Sequence, residues 1–355
     1  MSRFFTHRLD KLTPYTPGEQ PRDMQYIKLN TNESPFPASP KAVAAINGEE
    51  VSRLYLYSDP DCKALIAAIA KRYGLQPEQV TVGNGSDEVL WFALRAFCDE
   101  QTPLAYNDIT YGCYKTWCSM LNVPSKILPL QEDYSVDLSL YRGLDSTIMI
   151  TNPNAPTGLC LTVQEIEGIL QENPDHVVIV DEAYVDFGGE SCVGLIDKYD
   201  NLLVVQTCSK SRSLAGARLG YAMGHPDLIA DLNRIKFSFN PYNVNRLTCL
   251  AGIAAMEDEE YFRDNCRKIL QNRAWTTEKL SELGFTVADS TTNFVLAKHE
   301  KLVGKQLYLD LKARGILVRH FDTVRLTDYI RVTIGSAEEM EAFIAAVKCI
   351  LEESV

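Results

Sequence analysis

Short, unbroken apolar runs alternate with helix-like stretches from about residue 60 onward, and this alternation limits the fold more than any other feature. The runs are QVTVG (79–83), a segment around 103–106, STIMIT (146–151), HVVIVDEA (176–183), NLLVVQT (201–207) and LGYAMG (219–224). Helical spacing fills the gaps, in CKALIAAIAKRYG (62–74), SDEVLWFALRAFC (86–98), 111–121 and TVQEIEGILQE (162–172). A short apolar run without polar alternation predicts a strand covered on both faces. Strands that alternate with helices predict a mostly parallel sheet between two helical layers. In such sheets a ligand lies beyond the carboxyl ends of the strands.

The chain has 355 residues, too many for one ordinary core, and a large and a smaller domain are expected. Pro14, Pro17, Pro21 and Pro35 predict an extended arm over residues 1–35, leading into a helix near 39–47. The alternating region defines a large domain over 36–240. Beyond it the pattern changes to helices at 243–256 and 259–283, then GFTV (284–287), NFVLAK (293–298), a helix at 303–314, ILV (316–318), YIRVTIG (329–335) and a helix at 336–353. Residues 241–355 therefore read as linking helices and a small α+β domain. The fold class expected is α/β, with a large domain whose mostly parallel sheet lies between helices, plus a smaller α+β domain.

A net charge of −12 repels phosphate backbones, so nucleic acid is not an expected partner. The ten cysteines include no C-x-x-C pair and no clustered histidines, which predicts free thiols in a reducing cytoplasm and no metal. No secretory signal and no membrane span are read in the sequence.

Four strand ends carry chemistry. In VVQTCSKSRSLAGARLGY (204–221) a buried strand runs out just before Lys210. A lysine in a low-dielectric cleft loses its proton more readily and attacks carbonyls. Ser209, Ser211 and Arg218 beside it suit a phosphate. An isolated Ser-Lys pair would more often be a solvated loop. In HVVIVDEAYVDF the apolar run leads straight into Asp181, a costly place for a carboxylate without a cationic partner such as a protonated pyridine. A helix-capping Asp is the competing reading. Tyr184 follows three residues later. VGNGSDE (82–88) places backbone N–H groups of Ser86 and Asp87 at a helix start, where they bind phosphate without net charge, although Ser86 also suits a plain N-cap. TNPNAPTG (151–158) makes an irregular loop whose asparagines offer neutral hydrogen bonds.

In this order the four motifs resemble the fold type I pyridoxal-phosphate aminotransferases over nearly the whole chain, and within them the histidinol-phosphate aminotransferases. LTPY (12–15), LNTNESP (29–35), LYSDPD (56–61), TYGCY (110–114), SKSRSLAGARLGY (209–221), TNFVLA (292–297) and IRVTIG (330–335) carry the likeness. The resemblance implies that Lys210 holds pyridoxal 5'-phosphate as a Schiff base and moves protons. It implies that Asp181 pairs with the ring nitrogen, that Tyr184 meets the ring oxygen and that Tyr111 stacks on the ring. Ser86, Asp87, Ser209 and Arg218 would hold the phosphate, and Tyr57 would reach the cofactor of the second subunit of a homodimer. Tyr15, Asn32, Arg319 and Arg331 would line the substrate site. The family's usual asparagine before P-T-G is Ala155 here, and Asn154 is expected to replace it, with Asn152 or Tyr184 alone as alternatives. Another departure is YSDP in place of YPDP.

The implied reaction is transamination between histidinol phosphate and 2-oxoglutarate, with glutamate as the returning donor. The same scaffold also serves threonine-phosphate decarboxylation and aromatic amino acid transamination. A non-catalytic ligand-binding protein is the reading from another class. Arg319 could equally be a surface ion-pair residue.

Overall fold

The computed structural model describes residues 6–353; the first five residues of the expected arm lie outside it. Seven strands form the central sheet, in the spatial order Val80–Asn84, Leu219–Gly224, Leu202–Thr207, Val178–Asp181, Thr147–Thr151, Leu104–Asn107 and Ser125–Leu128. All neighbours are parallel except Leu219–Gly224, which runs antiparallel to both of its partners. That strand follows Thr207 through the loop 208–218, which holds only a 3-10 turn at Ala215–Ala217 and no α-helix to cross the sheet, so it returns in the opposite direction.

Side-chain alternation explains why the strands read as continuous apolar runs. Val178, Val180, Leu202 and Val204 pack on one face, against the helices Lys63–Tyr73, Val163–Glu172 and Arg246–Glu257. Ile179, Leu203 and Val205 pack on the other, against Ser86–Phe97, Cys113–Leu121 and Pro226–Phe239. Both faces are dry, and each such side chain contributes about 1.5–3 kcal/mol of burial.

A four-stranded antiparallel sheet, in the order Arg319–His320, Tyr329–Thr333, Phe294–His299 and Phe285–Val287, forms the second layer with the helices Glu259–Glu282, Gly304–Ala313 and Ala337–Glu353. Its core also takes in Leu29 of the arm and Tyr184 of the large sheet's loops. The arm is fixed there by Ile27–Lys28, which pairs in parallel with Ile316–Leu317. Among the described residues no helix is long and apolar enough to cross a membrane, and no group of three or more His, Cys, Asp or Glu is placed to hold a metal.

Among the elements that escape the sequence pattern are two of the large domain. Ser125–Leu128 is an edge strand with Ser125 and Ile127 exposed, so it shows no apolar run. Pro226–Phe239 directly follows a strand and buries only Ile229, Leu232 and Lys236.

Candidate active site

The carboxyl ends of Thr147–Thr151, Val178–Asp181 and Leu202–Thr207 open into a cleft of about 970 Å³. The register puts Asp181 opposite Thr151 on one side and Val205 on the other. Asp181 is 4% exposed, and burial raises its carboxyl pKa to about 6. Its oxygens accept from the Tyr114 hydroxyl at 2.6 Å and from the Ala183 N–H at 3.2 Å.

Lys210 lies three residues beyond Thr207 and lines the same cleft. Its ammonium donates to the Thr31 carbonyl at 3.1 Å and stands 5.9 Å from the centre of the Tyr184 ring. Burial is the main reason its pKa falls to about 8, with the Arg331 charge next. Tyr184 is buried edge-on against Phe294, with ring centres 5.1 Å apart, and its oxygen accepts from the Asn32 amide at 2.9 Å.

At one end of the cleft a helix start meets a cation. Gly85, at φ 85°, caps the helix Ser86–Phe97. The turn lies so close to Gly220 that a Cβ there would sit on the Ser86 nitrogen, and a Cβ at Gly85 would come within 2.6 Å of the Arg218 guanidinium. Arg218 reaches Asp87 Oδ2 at 3.1 Å, and the Tyr111 hydroxyl donates to Asp87 Oδ1 at 3.0 Å. Ser86, Asp87, Tyr111, Ser209 and Arg218 all line the cleft. A helix N-terminus, the Ser209 hydroxyl and the Arg218 guanidinium, paired here with Asp87, bring together the donors that an anion would take. A buried carboxylate and an amine of lowered pKa lie further along. This donor set has the chemistry a phosphorylated pyridine aldehyde would need: donors for a phosphate, an amine for an aldehyde and a carboxylate for a ring nitrogen.

Tyr15, Arg319, Phe321 and Arg331 also line the cleft. Tyr15 meets Tyr111 edge-on at 5.7 Å. Arg319 donates to the carbonyls of Thr16 and Pro17, at 3.1 and 3.2 Å, so it ties the arm across the cleft and is not a surface ion-pair residue. Arg331 donates to the Asn30 carbonyl at 3.0 Å and packs over Phe294 and Phe321. Its buried Nε has no protein partner among the described residues.

Two expected residues lie elsewhere. Asn154 is turned out of the cleft: its amide donates to the Ile109 carbonyl at 3.0 Å and to Thr157 Oγ1 at 2.8 Å, and the wall at that point is Ala155 and Pro156. Asn152 likewise closes its own loop, through both atoms of Leu161 that can hydrogen-bond. Closing an irregular loop consumes the amides that the composition offered to a ligand. Tyr57 does not reach the cleft of its own chain. It is 80% exposed and stacks on Tyr242 at 4.5 Å. Tyr114 was missed, although it stands one helical turn after Tyr111 in the same TYGCY segment.

Residues 24–347 match the aminotransferase class I and II family. The chain belongs to that family and is a pyridoxal-phosphate-dependent aminotransferase. It is 52% identical to the histidinol-phosphate aminotransferase of Marinomonas sp. (strain MWYL1), covering 98% of this chain and 99% of the relative. The histidinol-phosphate aminotransferase of Sinorhizobium meliloti, solved in complex with pyridoxal-5'-phosphate, superposes with a TM-score of 0.86 at 22% identity, over 93% of this chain and 92% of that one. L-threonine-O-3-phosphate decarboxylase from Porphyromonas gingivalis reaches 0.80 at 24% identity, over 92% and 99%, so the fold alone does not select the reaction.

Proposed function

We propose that this chain is a histidinol-phosphate aminotransferase that moves the amino group of histidinol phosphate to 2-oxoglutarate, giving glutamate, and runs the reverse transfer. One observation carries the reading: a single cleft holds an amine of lowered pKa, a buried carboxylate and an anion site, and two arginines line it too. The full-length identity to the Marinomonas relative supports the substrate.

Ser86 and Asp87 N–H groups, Ser209 and Arg218 would hold the cofactor phosphate, and Tyr111 would lie against the ring. When bound, pyridoxal phosphate supplies an electron sink. Asp181 would keep that sink effective by holding a proton on the ring nitrogen. With the cofactor bound, Lys210 Nζ would be the base placed to take a proton from, and return one to, the substrate carbon that bears nitrogen. Arg331 and Arg319 hold the substrate phosphate, and Arg331 also takes the carboxylate of glutamate. Tyr15 closes the mouth against water. The test is a panel of amino donors with 2-oxoglutarate. Histidinol phosphate should exceed phenylalanine by orders of magnitude in kcat/KM. Carbon dioxide release from threonine phosphate, with no keto acid consumed, would reject the reading.

Tyr57 works in a homodimer. It lies in an exposed apolar patch with Leu54, Tyr55, Leu56 and Tyr242, the kind of surface that soluble chains cover with a partner. In the dimer its hydroxyl supplements the phosphate site of the neighbouring subunit. Sedimentation should give a dimer, and Tyr57→Phe should weaken cofactor affinity about tenfold, one charge-assisted hydrogen bond's worth. A monomer with full activity would refute this.

The amine of Lys210 sets a pH dependence. Only its neutral form attacks an aldehyde, so capture of pyridoxal phosphate by the cofactor-free protein should quicken as pH rises and level off above about 8. The Arg331 charge disfavours the ammonium, so Arg331→Gln should move the midpoint to higher pH. Stopped-flow absorbance across pH 6–10 measures both; a flat profile would contradict the assignment.

A further inference from the structure

We propose that Thr333 and Asn32 fix the direction of the Tyr184 hydroxyl, making Asn32 a positioning residue for the cofactor and not a substrate contact. The inference rests on the reading above, in which Lys210 and Tyr184 face pyridoxal phosphate.

Asn32 lines the cleft, but its polar atoms are all engaged by protein. It is 1% exposed and sits at φ 56°, a left-handed conformation that asparagine tolerates. Its main-chain N–H donates to Thr333 Oγ1 at 3.0 Å, and its carbonyl accepts from the Asn293 amide at 3.0 Å. Its side chain bridges Thr333 Oγ1, at 2.9 Å, and the Tyr184 hydroxyl, at 2.9 Å.

The directions follow from counting protons. A threonine hydroxyl has one proton. Thr333 already accepts from the Asn32 N–H, and its own proton goes to Asn32 Oδ1. That bond turns the amide nitrogen toward Tyr184. The reversed amide would put two donors on Thr333 and leave its proton aimed at nothing, a costly arrangement in a buried site. Tyr184 therefore accepts from Asn32, and its phenolic proton has to lie on the other side of the oxygen. No protein acceptor for that proton exists among the described residues, and the ring lines the cleft. The hydroxyl is thus a preset donor toward bound ligand. The neighbouring wall, Ala155 and Pro156, has no side-chain donor to share the task. Thr333 also shares a strand face with Arg331, so the strand that carries the substrate clamp also carries this constraint.

The test compares Asn32→Asp, Asn32→Ala, Thr333→Val and Tyr184→Phe. Each protein is measured for its affinity for pyridoxal phosphate and for the pH midpoint of the bound cofactor's absorbance, with melting of the cofactor-free form as a folding control. A carboxylate at position 32 accepts from both neighbours and draws the tyrosine proton away from the cleft. Asn32→Asp should therefore weaken cofactor binding about tenfold and raise the absorbance midpoint, more than Asn32→Ala does. Thr333→Val frees the amide to reverse and should give a smaller change in the same direction. In a Tyr184→Phe background Asn32→Asp should add little, because the pair acts as a unit. If Asn32→Asp shifts the midpoint equally with and without the Tyr184 hydroxyl, its charge acts directly and the proposal fails. Thr333→Val with wild-type affinity and midpoint would also overturn it. A wild-type protein that takes up no pyridoxal phosphate would instead defeat the cofactor reading beneath it.

Discussion

Lys210→Ala should lower transamination by roughly 10⁴-fold or more while leaving the fold intact. Two contributions disappear together, the covalent anchor and the proton carrier, and positioned proton transfer alone is typically about 10²–10⁴-fold. Among the described residues only one other lysine borders the cleft. Lys115, the other lysine at its edge, is exposed on the helix Cys113–Leu121. Little structure is at risk, because the ammonium makes a single hydrogen bond, to the Thr31 carbonyl. The variant should melt within a few degrees of wild type and still bind pyridoxal phosphate through the anion site. Single-turnover absorbance with histidinol phosphate measures the loss. A decrease below tenfold would mean that another group moves the proton.

Asp181→Asn should cost about 10³-fold in kcat/KM, the size expected when one partner of a buried ion pair is removed. The substitution nearly preserves shape. Tyr114 can turn its hydroxyl to accept from the new amide, and the Ala183 N–H keeps an oxygen acceptor. What is lost is the charge that holds a proton on the ring nitrogen. The cofactor-free protein should respond in the opposite sense. Burial raises the Asp181 pKa from 3.8 to about 6, so the folded form binds the proton more tightly than the unfolded chain. Stability from this group is present at low pH and falls as pH rises from about 4 through 6. A neutral amide escapes that loss, so above pH 7 the cofactor-free Asp181→Asn protein should be more stable than wild type by about 2–3 kcal/mol. Denaturant titrations at pH 4.5 and 7.5 test the sign. Equal stabilities at pH 7.5 would mean that the carboxylate is solvated.

Both residues were singled out in the sequence by a place at or just past a strand end, and their roles by the resemblance that the four motifs carry together. VVIV-Asp181 and the run ending before Lys210 each set a charge at the end of a doubly buried strand, an expensive placement that chemistry justifies. The central sheet was legible because dry faces on both sides leave no polar alternation. What failed depended on partners distant in sequence or on which way an amide turns. Ser125–Leu128 has one strand neighbour and exposed residues, so its pattern resembles a loop. Asn154 had the right chemistry in the right loop, but the Ile109 carbonyl takes its amide. Asn32 was expected in the substrate site only through the family resemblance, whereas its engagement with Thr333, at the far end of the chain, only folding reveals. Arg319 and Arg331 were found as cations, but their fixation by the carbonyls of Thr16, Pro17 and Asn30 depends on the arm crossing the cleft.

The most direct measurement is reduction of the purified enzyme with borohydride, followed by peptide mass mapping. A carbon–nitrogen double bond between cofactor and lysine becomes permanent under these conditions. The pyridoxyl phosphate mass should appear on the peptide containing Lys210 and vanish in Lys210→Ala. Label on a different lysine, or no label on protein that is yellow and active, would contradict the account.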